Sequence, residues 1–194
     1  KTFIAVESDD QQLDDLLEEL EGVECERMVF IDETGSNLAM AREYARAPKG
    51  KRALDVRPVD RGRVQTVIGA LTLDGLEAVM TFEGWLNNVV FETFVRELLV
   101  PVLLPGDVVL LDRHGAHKVK RIWNLIEAVG AKVVLLPRAM PYLNPIENCW
   151  SKLKNLLKTA APRTSAALVE AICDAITHIT EQDAQGWFEG CGWV

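Results

Sequence analysis

Two short apolar runs that each end in aspartate constrain this chain more than any other feature. They are Met28-Val29-Phe30-Ile31-Asp32 and Val108-Val109-Leu110-Leu111-Asp112. Runs this short and this continuously apolar fit strands buried on both faces of a sheet. A carboxylate closing each run would then stand at a strand's C-terminal end, where ligand sites of α/β sheets gather. If the two strands are neighbours, Asp32 and Asp112 come together.

The intervening sequence fills in the sheet. Val64 to Leu73 and Leu76 to Phe82 are β-rich and are separated by Asp74-Gly75, a dipeptide suited to a tight hairpin turn. Residues 34–63, rich in Gly, Pro, Arg and Lys, predict an irregular connection. Val90, Phe91, Phe94, Val95, Leu98 and Leu99 have the spacing of a helix with one buried face over Asn87 to Leu99, ended or bent by Pro101. A helix from about Lys118 to Val129, closed by Gly130, leads to a fifth strand at Lys132 to Leu136. Helices follow at Pro145 to Leu157 and at Ser165 to Thr180. The order βββαβαβα plus a C-terminal helix predicts one mixed α/β sheet with helices on both faces, the order of the ribonuclease-H-like fold.

Charge divides the chain. Residues 1–27 hold ten acidic and two basic side chains and account for the whole net charge of −8, whereas residues 28–194 are balanced. The acidic stretch predicts an appended amphipathic helix or linker over about Asp9 to Leu20, with Leu13, Leu16, Leu17 and Leu20 on one face. Residues 28–194 form the expected catalytic domain. Ten carboxylates repel phosphate, so any nucleic-acid track is expected in the basic clusters Arg46 to Arg63 and Arg113 to Arg121. The longest apolar stretch, Leu98 to Pro105, is eight residues with two prolines, far below the ~20 needed to span a bilayer. With no signal-peptide pattern, a cytoplasmic location is expected.

Cys25, Cys149, Cys173 and Cys191 form no C-x-x-C pair, and His114 and His117 alone do not fill a zinc site. Nucleotide-binding glycine signatures and a hydrolase nucleophile elbow are absent. What remains is a carboxylate constellation. Phosphodiester cleavage without a protein nucleophile is commonly performed by two Mg²⁺ ions roughly 3.5–4 Å apart, and Mg²⁺ takes carboxylate and water oxygens. Asp32 and Asp112 on strand ends, with Glu147 in the first turn of a helix, satisfy that requirement. Each also has a plainer reading: Asp32 in turn chemistry with Glu33-Thr34-Gly35, Asp112 as a loop cap, Glu147 in a capping box with Asn144.

The segments Phe30-Ile31-Asp32-Glu33-Thr34-Gly35, Leu110-Leu111-Asp112 with Ala116-His117-Lys118, and Tyr142-Leu143-Asn144-Pro145-Ile146-Glu147-Asn148 with Trp150-Ser151-Lys152-Leu153-Lys154 closely resemble the signatures of mariner-like DDE transposases. The match is to their bacterial insertion-sequence branch. Thirty-four residues separate Asp112 from Glu147, the spacing typical of that superfamily's second and third acids. The resemblance runs from about Met28 to the C-terminus. It implies a ribonuclease-H-like fold, Asp32, Asp112 and Glu147 as catalytic metal ligands, Mg²⁺ or Mn²⁺ as cofactor, and cut-and-paste transposition with insertion at a TA dinucleotide. Lys118 and Asn144 become candidate DNA contacts, and His117 a candidate to approach phosphate.

The implied partners are element-end and TA target DNA and a second copy in a homodimer. The family's N-terminal helix-turn-helix region is separate or missing here. The implied setting is the bacterial cytoplasm, at the nucleoid. Arg113 stands where the family has Asn and is expected to pair with Asp112 rather than turn outward to phosphate. Met140-Pro141-Tyr142 replaces the usual Ser-Pro-acid. Two other readings share the same residues: a ribonuclease-H-like nuclease that cuts without joining strands, and an inactive DNA-binding remnant of a transposase. Strand-joining products separate the first from a transposase, and metal-dependent cleavage separates the second from both.

Overall fold

The computed structural model describes residues 10–42 and 44–194. Five strands form a single sheet of order β3-β2-β1-β4-β5. Strand β1 (Met28–Ser36) pairs antiparallel with β2 (Gln65–Thr72) on one side and parallel with β4 (Val108–Leu111) on the other. Strand β3 (Gly75–Glu83) continues the hairpin beyond β2, and β5 (Lys132–Leu135) lies parallel to β4. A hairpin followed by two parallel crossover strands, with β1 central, is the strand order of the ribonuclease-H-like fold expected above.

The period-two alternation of the strands sorts the core into two layers. Met28, Phe30, Val67, Leu71, Val108 and Leu110 point to one face. There they meet α4 (Pro145–Ala160), α5 (Ser165–Thr177), α6 (Glu181–Cys191) and α1 (Asp10–Glu19) through Trp150, Leu153, Leu168, Ile172, Phe188, Leu16 and Leu20. Val29, Ile31, Ile68, Ala70, Val109 and Leu111 point to the other. That face is covered by α2 (Asn88–Phe94) and α3 (Lys120–Glu127) through Phe91, Phe94, Ile122 and Ile126. The interior side chains of the central strands are excluded from water on both faces, which is why their sequences read as unbroken apolar runs rather than alternating ones.

Four local features depart from the sequence expectations. Strand β1 does not end at Asp32 but continues to Ser36, with Glu33, Thr34, Gly35 and Ser36 laddered to Ile68, Val67, Thr66 and Gln65. Tertiary pairing with β2 overrides the turn preference of Asp-Glu-Thr-Gly. The helix over 87–99 is α-helical only to Phe94, and Val95–Leu99 winds as a π-helical turn with Val100 N–H donating to Val95 O at 2.8 Å. Pro101 lacks the N–H that would continue the α-helical ladder. A 3₁₀ turn, Gly115–Lys118, precedes α3. The last long helix ends at Thr177, and α6 begins after Thr180, whose side chain and that of Asp183 form a reciprocal capping box.

The expected irregular connection is present: residues 37–64 hold no helix or strand among the described residues. Arg163 ties this loop down, donating to the carbonyls of Leu38, Met40 and Val56. The expected N-terminal helix is α1, and its proposed first residue, Asp9, lies outside the described residues. No helix among the described residues is long and apolar enough to cross a membrane.

Candidate active site

The parallel pairing of β1 with β4 brings Ile31 level with Leu111. The next residue on each side is an aspartate, so the two strand-end carboxylates stand side by side by register. Both continue the parity of Phe30 and Leu110 and so share the face covered by α4. Helix α4 enters that face through Asn144 and Pro145, which puts Glu147 in its first turn. Asp32, Asp112 and Glu147 line one cavity of about 220 Å³, together with Leu136, Pro137, Ala139, Met140, Pro141 and Asn144.

The three acids differ in environment. Asp32 is 8% exposed and accepts a hydrogen bond from the indole Nε1–H of Trp150 at 3.1 Å. Burial first, and then the charges of Glu147, Glu33 and Asp112, push its carboxyl up to about 8. Asp112 is more open. Burial works to raise its carboxyl, but hydrogen bonds from the His117 ring at 2.6 Å and the His114 N–H at 2.9 Å outweigh that and hold it below its usual value. Both bonds go to Oδ1, and among the described residues none donates to Oδ2. Glu147 is exposed on the helix surface. Asn144 caps α4 with backbone geometry only, so the capping box that would have occupied Glu147 does not form.

Among the described residues, no group of three or more His, Cys, Asp or Glu side chains is drawn in closely enough to hold an ion outright. The donor chemistry nonetheless fits a hard divalent cation. Carboxylate oxygens from three separate elements face one cavity, and the burial and neighbouring negative charge that elevate Asp32 are the conditions a divalent cation relieves. A larger cavity of about 430 Å³ lies beside the 37–64 loop. Its charged lining is Arg57, Arg61 and Lys158, without an acid, so it offers no metal ligand.

The secondary candidates are placed differently. Lys118 is exposed on the 3₁₀ turn after β4. Asn144 is only 5% exposed, lines the cavity and leaves its Oδ1 without a partner. His117 does not approach solvent phosphate: it is fully buried against Phe91 and bonded to Asp112. Arg113 does not pair with Asp112 either. Its Nε donates to Leu136 O at 3.2 Å, because the chain direction after β4 carries the side chain across to the end of β5.

The sequence reading missed Trp150 as a partner of Asp32, since its place on the apolar stripe of α4 accounts for it equally well as core. It also missed Glu33, which faces His117 with Nε2 and Oε2 3.5 Å apart. Burial first raises the Glu33 carboxyl, against the pull of His117. The available signal was parity: the residue after Asp32 on a strand must face the opposite layer.

Residues 27–169 match the family described as DDE superfamily endonuclease. No curated protein matches the chain. Solved structures of the Mos1 mariner transposase share the fold. The Mos1 mariner paired end complex with Mn superposes with a TM-score of 0.77 at 13% identity, over 97% of this chain and 62% of that one. The pre-cleavage Mos1 transpososome gives 0.76 at 11% identity over 97% and 62%. The Mos1 transposase catalytic domain with raltegravir and Mg gives 0.69 at 11% identity over 92% and 85%. At these identities the likeness is one of fold, and the chain spans about three fifths of the length of the first two chains.

Proposed function

The chain belongs to the DDE superfamily endonucleases, and from that premise we propose that it is the catalytic domain of a DNA transposase that cleaves strands at the ends of a mobile element and joins them to target DNA. The observation that carries the reading is the shared cavity of Asp32, Asp112 and Glu147, three carboxylates that come from two strands and a helix and that nothing but the fold brings together. Similarity to a paired end complex and a transpososome supports DNA ends as the substrate. The signature residues around Asp32, Asp112 and Glu147 support placement in the mariner-like group and its bacterial insertion-sequence branch, with TA target sites and a homodimer as the working unit. In this reading residues 28–194 are the catalytic domain, residues 1–27 an acidic linker or appended helix, and end recognition is the task of a helix-turn-helix region. The protein acts at the bacterial nucleoid.

Asp32 and Asp112 would hold Mg²⁺ or Mn²⁺, with Glu147 completing the set. A divalent ion bound there supplies activation of the attacking oxygen and neutralisation of charge at phosphorus. The residues of the chain do the rest. Trp150 holds one oxygen of Asp32, and His117 and the His114 N–H hold one oxygen of Asp112. In the first reaction water forms a bond to phosphorus and the 3′ oxygen leaves as a hydroxyl. In the second that hydroxyl attacks a phosphate of target DNA and displaces another 3′ oxygen, so no covalent enzyme intermediate is required. Lys118, exposed beside the site, is available to backbone phosphate, and Asn144 organises the cavity wall.

The deciding experiment incubates the protein, with its helix-turn-helix region, with DNA carrying the cognate element ends and Mg²⁺ or Mn²⁺. Cleavage and strand-joined products are expected, with Asp32→Asn abolishing both while the protein stays folded. Cleavage without joining would make it a nuclease, and metal-independent binding without cleavage would make it an inactive remnant.

A further inference from the structure

His117 is a buried polar side chain held from several sides. It is 0% exposed, its ring lies 4.6 Å from that of Phe91, and its carbonyl accepts from Trp123 Nε1–H. Its Nδ1 stands 2.6 Å from Asp112 Oδ1. Since an ionised carboxylate only accepts, Nδ1 carries the proton of that bond. On the opposite side of the ring, Nε2 faces Glu33 Oε2 at 3.5 Å, and neither atom has another partner.

This arrangement is costly as plain packing. A buried polar atom without a well-formed hydrogen bond costs about 1–3 kcal/mol, and the surroundings, Phe91, Phe94, Ala116 and Ile122, belong to an apolar layer that a phenylalanine would suit. What the histidine adds is a rigid link. Glu33 is the residue after Asp32 on β1, and Asp112 follows the last residue of β4. The chain of contacts Glu33–His117–Asp112 therefore links the middle of β1 to the residue that follows β4. It also fixes one oxygen of Asp112, whose side chain is 46% exposed and would otherwise be free to turn.

We propose that His117 is a positioning residue: backed by Glu33, it aims the Asp112 carboxylate at Asp32 and so sets the spacing of the two strand-end acids. The inference rests on the functional reading above insofar as that spacing serves a divalent ion. Carboxylates or carbonyls behind a metal-site ligand commonly orient it, and their loss typically costs 10–100-fold in metal affinity or activity.

The test measures Mn²⁺ binding to the chain without DNA, by electron paramagnetic resonance, for the parent, His117→Phe and His117→Asn, with thermal melting to verify folding. Phenylalanine keeps the ring and removes the donor; asparagine returns an amide N–H close to where Nδ1 stands. Mn²⁺ affinity should fall about tenfold or more in His117→Phe and stay within roughly threefold of the parent in His117→Asn. A folded His117→Phe that binds as the parent does overturns the proposal, as does an equal loss in both variants. If His117→Phe does not fold, Glu33→Leu takes its place under the same expectation.

The functional reading fails separately, if the parent binds no Mn²⁺ or if Asp32→Asn leaves binding unchanged. Crystal structures then decide the positioning role alone. The Asp112 carboxylate should keep its direction in the parent and His117→Asn and turn away in His117→Phe, or in Glu33→Leu where His117→Phe does not fold; a carboxylate unmoved in the substituted protein overturns the proposal.

Discussion

Asp32 concentrates the electrostatic cost of the site in one carboxyl group. Its ordinary value is 3.8 and the folded protein raises it to about 8, through burial and then the neighbouring charges. Between those two values the folded protein keeps a proton that the unfolded chain has released. Stability contributed by this group is therefore fully present below about pH 4, falls as pH rises towards 8, and is lost above it. The slope is at most about 1.4 kcal/mol per pH unit. Urea unfolding in metal-free buffer from pH 5 to 8 should show this decline in the parent and a flatter profile in Asp32→Asn. Identical slopes would mean that Asp32 ionises as freely in the fold as outside it. A divalent cation reverses the sign, because it binds the ionised form: millimolar Mg²⁺ should raise the melting temperature more at pH 8 than at pH 5, and Asp32→Asn should remove the difference.

At the scale of elements, the docking of α4 on the sheet couples the third acid to the first. Trp150 lies one turn beyond Glu147 on α4, is 1% exposed, and reaches Asp32 with its indole nitrogen. The sheet makes room for it at Gly69, the residue paired with Asp32 on β2. A Cβ at Gly69 would lie 3.0 Å from Trp150 Cη2 and 3.1 Å from Leu76 Cδ2, tighter than most packed contacts, so that Trp150 or Leu76 must give way. Gly69→Ala should therefore cost about 1–3 kcal/mol by overpacking and displace Trp150 from Asp32, so that a urea titration and Mn²⁺ binding fall together. Loss of stability with unchanged binding would separate the tryptophan from the site.

This coupling marks the limit of what the sequence made legible. The apolar runs closed by Asp32 and Asp112, the Asp74-Gly75 hairpin and the Gly130 stop follow from local patterning, and they were enough for the order of elements along the chain; that β1 and β4 are neighbours, which brings the acids side by side, comes from the sheet order. The partners of those acids were not legible. Trp150 sits on an apolar stripe that any core residue could occupy, and His117 reads as a loop histidine until the 3₁₀ turn folds it under the sheet. The end of α5 was hidden for a related reason, since Ile176 and Ile179 carry the apolar spacing across the break that the Thr180 cap makes.

For the molecule as a whole, charge is the variable that the fold arranges rather than averages. The net −8 belongs to residues 1–27, while the 37–64 loop presents Arg42, Arg46, Lys49, Lys51, Arg52, Arg57, Arg61 and Arg63 to solvent. The acidic segment is not simply a free tail. Leu16 of α1 and Leu20 just after it are buried in the main core, Glu19 pairs with Lys132 at 3.0 Å, and Gln12 accepts from the backbone N–H of Arg138. Arg138 lies between Pro137 and Ala139, both in the wall of the carboxylate cavity. The first turn of α1 thus stands near the rim of the cavity, and Asp14 and Glu18 are exposed further along the helix. Deleting the helix is a poor test of its charge, because it would uncover Leu16 and Leu20. Asp14→Asn with Glu18→Gln removes two charges and leaves the packing in place. If DNA passes over this rim, phosphate repulsion falls, and affinity for a short duplex should rise roughly threefold or more at ~0.05 M salt. The gain should shrink towards nothing near 1 M, where the screening length is about 3 Å. A salt-independent gain would point to a conformational effect, and unchanged or weaker binding by the folded double variant would mean that DNA takes a course away from α1.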